Sequence, residues 1–140
     1  MTAAQTLVCF SGLFLFVLGL LNGIIVPRSK SPRLSLSAHL TAVQSGTFLV
    51  AIAWAWPHFG LSPTASALAA WGLTGSLYLL WIAFLLAGLW GAGRGLSIAG
   101  QGSEAGKAQQ AIVTGALSLG VVGTMAATMT LLVMWGLLSS

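Results

Sequence analysis

His39, Thr41, Gln44 and Ser45 fall within seven residues of one another in "LSLSAHLTAVQSGTFLVAIAWAW", residues 34–56. An imidazole, an amide and two hydroxyls thus stand at the mouth of a stretch whose remainder is apolar. Imidazole binds metal ions and moves protons near neutral pH, and amides and hydroxyls hydrogen-bond bound ligands. His58 is the one other histidine, nineteen residues on. That is roughly 28 Å along a helix, so both cannot ligate one metal within a protomer. The spacing argues against a bis-histidine electron-transfer haem. It allows a single-histidine haem with an open sixth position, the arrangement that binds and activates a ligand. Plainer roles stay open: an interfacial histidine also serves as a snorkelling, water-contacting residue, and Gln44 and Ser45 serve equally as interhelical glue.

Other chemistries have no pattern to rest on. The single Cys9 excludes an internal disulfide framework and a cysteine-based metal cage. No HExxH, CxxC, Walker, Rossmann or serine-triad pattern is present, and the glycine-rich stretch 91–106 lacks the strand-to-helix setting of a phosphate cradle. Five basic residues stand against one acid, giving a pI near 10.3. In a chain this apolar they are topology signals and anion contacts, not a nucleic-acid surface.

The elements that position these groups are membrane helices. Hydrophobic residues make up 57% of the 140-residue chain and charged residues 4%, and the mean hydropathy is +0.98. Such a composition predicts a single all-α domain, an integral membrane four-helix bundle. The spans are expected at about 6–26, 36–56, 64–90 and 108–138. The first lacks a positive leading region and is long enough to cross the bilayer, so it reads as a span and not a cleaved signal. "PRSKSPR" (27–33) is expected to break the chain between the first two spans. Pro57 is expected to stop the second. Ser62 and Pro63 are the expected N-cap and first residue of the third. Gly19 and Gly23 form a GxxxG step on the first span, while Thr114, Gly115, Ser118 and Gly120 punctuate the fourth; both suggest close helix contacts.

Arg28, Lys30, Arg33, Arg94 and Lys107 all fall in alternate loops. The positive-inside rule makes that side cytoplasmic, in an inner membrane, with both termini and His58 outside. His39 is then about one turn inside the cytoplasmic end, level with Asn22, about Trp90, Gln109 and Gln110. One layer deeper come Gln44 and Ser45, with Phe84, Leu85, Thr114 and Ser118 on the neighbouring helices. Most intramembrane polar groups gather in this half, where polar groups are costly enough to mark function.

"LGLLNGIIVP…PRLSLSAHL…GTFLVAIAWAWPHFGLSP", followed by "WIAFLLAGLWGAGRG", resembles the hydroxylaminobenzene mutases, small four-helix membrane isomerases related to the styrene oxide isomerases. The resemblance spans about Phe14 to Trp135. Its most specific part is Gly46 seven residues after His39, together with Pro57. It implies haem b held through the histidine matching His39, at contacts between subunits of a homotrimer, with the ferric iron a Lewis acid and not a redox centre. It implies rearrangement of an aryl hydroxylamine to a 2-aminophenol, with no reductant or O₂ consumed. The relatives carry Asn where this chain has Ser45, and Leu where it has Gln44. A third-helix tyrosine of the styrene oxide isomerases falls near Leu85, whereas Tyr78 is about two turns away.

On that reading His39 is the axial ligand, and Ser45 or Gln44 hydrogen-bonds the reacting oxygen or nitrogen. Arg33 meets a haem propionate. Asn22, Trp81 and Phe84 belong to the apolar pocket that holds the ring. Ser45 points some 120° away from His39 on the helix, so a haem at a subunit interface would take His39 from one protomer and Ser45 from its neighbour. Three other readings stay open: epoxide isomerisation on the same site, a haem-binding sensor or carrier without turnover, and a tetraspan scaffold or transporter. The transporter is weakened by the absence of any Asp, Glu, Lys or Arg inside a span.

Overall fold

The computed structural model describes residues 1–94 and 105–139. Four long helices follow one another: α1 (Ala3–Ile25), α2 (Pro32–Ala55), α3 (Pro63–Trp90) and α4 (Lys107–Ser139). Each is long and apolar enough to cross a membrane. Thr2 starts α1 with a reciprocal capping box: its hydroxyl accepts from the Gln5 backbone N–H, and the Gln5 side chain accepts from the Thr2 N–H. Ser62 caps α3 through the Ala65 N–H at 3.3 Å, with Pro63 at the first turn, as its sequence predicts. α2 ends at Ala55 and runs into a tight 3₁₀ turn, Trp56–Phe59, closed by Gly60 at φ 57°. Most of the glycine-rich stretch expected at 91–106, namely 95–104, lies outside the described residues.

One boundary differs from expectation and moves the site. Pro32 begins α2 instead of ending the preceding loop. Proline suits a first helical turn because its missing N–H has no partner there to lose. The Ser31 N–H donates to the Gly88 carbonyl at 3.0 Å and ties this start to α3. His39 therefore sits seven residues, about 10 Å, inside α2 and not a single turn.

α1 and α2 are antiparallel and in backbone contact. A Cβ on Gly46 would lie 2.7 Å from both the Gly12 carbonyl oxygen and the Phe16 nitrogen. α2 and α3 meet as closely at the other end, where a Cβ on Gly88 would lie 2.8 Å from the Ser35 nitrogen. Leu15, Leu49, Leu73, Leu77, Trp56 and Phe59 fill the space between these seams, and the Trp56 indole N–H donates to Ser66 Oγ at 2.9 Å. Dispersion and close backbone approach hold such a bundle, since lipid tails are as apolar as leucine. α4 packs mainly along α3 and against the turn after α2. It is the least covered helix, with 11% of its most apolar window buried against 28–33% in the others. The arrangement is compatible with a membrane four-helix bundle.

The up-down course brings Arg28, Lys30, Arg33, Arg94 and Lys107 to one end of the molecule. His58 lies at the other, exposed and tilted on the Trp135 ring at 5.8 Å. The two histidines are therefore apart in space, as their spacing requires.

Candidate functional site

His39 stands in the seam between α1 and α2. Its Nδ1 lies 2.7 Å from the Gly19 carbonyl oxygen, and the ring passes over Gly23, where a Cβ would sit 3.0 Å from Nδ1. The GxxxG step is thus a contact within the chain, and it accommodates the imidazole. Gly120 makes a comparable approach to Leu80, whereas Gly115 faces open space.

Helix contacts fix the neighbours at His39's depth. Ser35 backs on Gly88, so His39, one turn on, is level with Phe84, one turn back along α3. Gly120 backs on Leu80, which sets Phe84 level with the turn of α4 between Thr114 and Ser118. The α3 and α4 members of the layer expected one step deeper, Phe84, Thr114 and Ser118, are therefore near His39's own level, while Gln44 and Ser45 stay deeper along α2. Gln109 and Gln110, expected at that depth, instead serve the basic end: their side-chain oxygens accept from the Gly106 and Arg94 backbone N–H groups, each at 3.1 Å.

Phe84 lines a groove of about 490 Å³ between α3 and α4 with Leu80, Val113, Thr114, Leu117 and Ser118. Its walls are apolar apart from the Thr114 and Ser118 hydroxyls, and its size suits a small aromatic molecule. His39, Asn22, Gln44, Ser45 and Trp81 do not line it. Within one protomer, then, the imidazole and the groove share a depth but not a cavity.

The remaining candidates fall as follows. Asn22 is buried and donates through Nδ2 to the Ser35 carbonyl at 3.4 Å, clamping α1 to α2 instead of lining the pocket. Its Oδ1 and the Ser35 hydroxyl are buried without partners. Trp81 packs edge-on against Tyr78, its indole N–H buried and unpaired, and is not a wall of the groove either. The Tyr78 hydroxyl donates to the Ser11 carbonyl at 2.9 Å and is used in packing α3 to α1. Arg33 is exposed on the first turn of α2. Gln44 and Ser45 part company: Ser45 is buried, while Gln44 lies exposed on the stripe that includes Leu36, Leu40 and Trp54. Adjacent helical residues diverge by about 100°, so the two cannot act as one group from one direction.

The Gly19 carbonyl is the contact that sequence reasoning missed. Its one signal was the GxxxG step twenty residues before His39, which predicts a close contact without naming what it closes on.

The family model described as styrene oxide isomerase matches residues 4–138. This chain belongs to the styrene oxide isomerase family. Hydroxylaminobenzene mutase HabB of Ectopseudomonas oleovorans is 40% identical over 134 residues, covering 92% of this chain and 78% of that protein. Hydroxylaminobenzene mutase HabA of the same organism is 39% identical over 93 residues, 66% of this chain and 69% of that protein. No solved structure matches. As a member of this family the protein is an isomerase or mutase, and its four helices are those of a multi-pass membrane enzyme.

Proposed function

We propose that this family member is a haem b-dependent membrane isomerase that rearranges an aryl hydroxylamine to a 2-aminophenol. The likeness to two hydroxylaminobenzene mutases supports the substrate class. The observation that carries the cofactor is His39 itself. The Gly19 carbonyl has no hydrogen to give, so Nδ1 is the nitrogen that donates to it, which leaves Nε2 as the nitrogen for a metal. A metal-binding histidine is commonly oriented by such a backbone acceptor. Among the described residues no three His, Cys, Asp or Glu side chains gather to cage a bare metal ion, which suits a cofactor that brings its own remaining ligands.

When bound, haem iron would supply Lewis-acid polarisation of the hydroxylamine oxygen. The reaction is balanced within the substrate: the N–O bond breaks, a C–O bond forms at the ortho carbon, and the ortho proton is lost as nitrogen gains one. No electrons enter or leave. The protein's part is to hold the ring, keep bulk water away and hydrogen-bond the migrating oxygen. The α3/α4 groove, with Phe84 on its wall, serves the first two tasks. The depth match between His39 and Phe84 supports a homotrimer in which the α1/α2 seam of one copy faces the groove of the next. Gln44, exposed on α2 but about 140° round the helix from His39, would then act at the haem held by a neighbouring copy's His39, with Ser45 supporting it from within. Arg33, at the basic end, is positioned to pair with a propionate.

Anaerobic incubation of the purified protein with phenylhydroxylamine, without reductant, tests the reaction. The expected product is 2-aminophenol in stoichiometric yield, and recovery of unchanged hydroxylamine refutes it. Styrene oxide is the comparison substrate, since the family description favours epoxide isomerisation as the second reading. An aldehyde in place of aminophenol would select that reading.

Gln44 and Ser45 give a graded test. An amide hydrogen bond to a developing oxyanion contributes about 10²–10³ in turnover. Gln44→Leu should therefore slow isomerisation by that order with the haem spectrum intact. Ser45→Ala, beneath the surface, should do less, and Ser45→Asn should move selectivity toward hydroxylaminobenzene. Unchanged rates and product ratios in both truncations would reduce the pair to helix packing.

Orientation follows the five basic residues at one end, which we assign to the cytoplasm of an inner membrane. A C-terminal reporter active only in the cytoplasm should stay silent. A bright signal would invert the protein and put the His39 half outside.

A further inference from the structure

We infer that Gly19 and Gly23 are positioning residues for His39: together they fix its tautomer and ring plane before any ligand arrives, leaving Nε2 as the lone-pair nitrogen. The use of that nitrogen for haem rests on the proposed function. The tautomer does not, since it belongs to the chain alone.

Three features of the seam make the device. The Gly19 carbonyl already accepts the Gly23 N–H in the regular helix pattern, and its second lone pair meets His39 Nδ1 at 2.7 Å. A backbone acceptor cannot rotate away as a side chain can, so it holds the ring in one plane. Gly23 supplies the clearance: a Cβ there would stand 3.0 Å from Nδ1 and 3.2 Å from Cε1. Even a methyl group would push the ring outward by a few tenths of an ångström and stretch the hydrogen bond. Gly19 keeps the distance short from the other side. A Cβ on it would stand 2.9 Å from the Val43 nitrogen, and that backbone atom could yield only by separating the helices. A small-residue step of this kind is usually a face for another helix; here one of its two clearances is spent on a side chain.

The test reads the tautomer directly. Full-length protein without haem, labelled with ¹⁵N-histidine in detergent, should show His39 protonated at Nδ1 with Nε2 bare. His58, exposed at the opposite end, serves as the solvent-averaged reference. Gly23→Ala should broaden His39 toward a tautomer mixture and weaken haem binding about 10–100-fold, the usual effect of disturbing a ligand's orienting partner. Gly120→Ala is the control for mere loosening, because its Cβ would stand 3.0 Å from the Leu80 nitrogen in the α3/α4 contact, outside the seam that holds the ring. It should lower stability and leave the tautomer unchanged. An Nε2-protonated His39 in the wild-type chain overturns the inference, as does a Gly23→Ala variant with wild-type tautomer and affinity. A correct tautomer in a chain that never binds haem would keep the inference and remove the proposed cofactor.

Discussion

His39→Ala is expected to yield a folded, colourless protein with turnover below about 1% of wild type. A hundredfold loss corresponds to about 2.7 kcal/mol of transition-state stabilisation, which is modest for removing the group proposed to anchor a Lewis acid. The protein should still fold. The ring is half-buried in the α1/α2 seam, and the Gly19 carbonyl keeps its helix bond from the Gly23 N–H when the imidazole goes. His58→Ala is the matched control, since that ring is exposed against Trp135 at the far end. It should keep both colour and rate. Absorbance and product formation on the same samples check the pair. Wild-type turnover in His39→Ala would remove His39 from the chemistry.

Gly46→Ala should cost about 1–3 kcal/mol, the usual effect of forcing a methyl group into a full space, and Gly46→Leu should prevent assembly. The methyl would lie 2.7 Å from the Gly12 oxygen and the Phe16 nitrogen, and no rotamer change relieves a clash with backbone. α1 and α2 must then separate. His39 hangs in the same seam two turns away, so its 2.7 Å bond to Gly19 should lengthen with them. Loss of haem is expected alongside a lower Tm in detergent. Gly115→Ala is the contrast: nothing lies within 4 Å of its added methyl, and alanine is favoured over glycine in a helix by up to about 1 kcal/mol. Equal Tm values for Gly46→Ala and wild type would show that the close backbone approach carries no weight.

Why some of this was legible in the sequence and some not follows from the physics of each feature. Helix number and course were readable because a membrane span needs a long apolar run and prolines punctuate it. Pro32 misled because proline both breaks and begins helices; the Ser31–Gly88 bond that decides between them is a tertiary contact. That single boundary changed the depth of His39 and with it the layer of neighbours. His39 itself was conspicuous, being a costly polar group in an apolar helix. Gln44 and Ser45 were equally conspicuous, yet adjacent positions on one helix face different ways, and only the packed neighbours decide which is covered. Trp81 and Asn22 are aromatic and polar residues at suitable depths, but both are occupied with interhelical packing. The groove beside Phe84 needed α4 to be placed against α3, which no local pattern specifies.

The absorption spectrum of detergent-purified wild-type protein, before and after haem supplementation, bears most directly on the central claim. A Soret band that saturates with added haem and is lost in His39→Ala but kept in His58→Ala is the predicted result. A chain that stays colourless through supplementation, or one whose band is indifferent to His39, contradicts it.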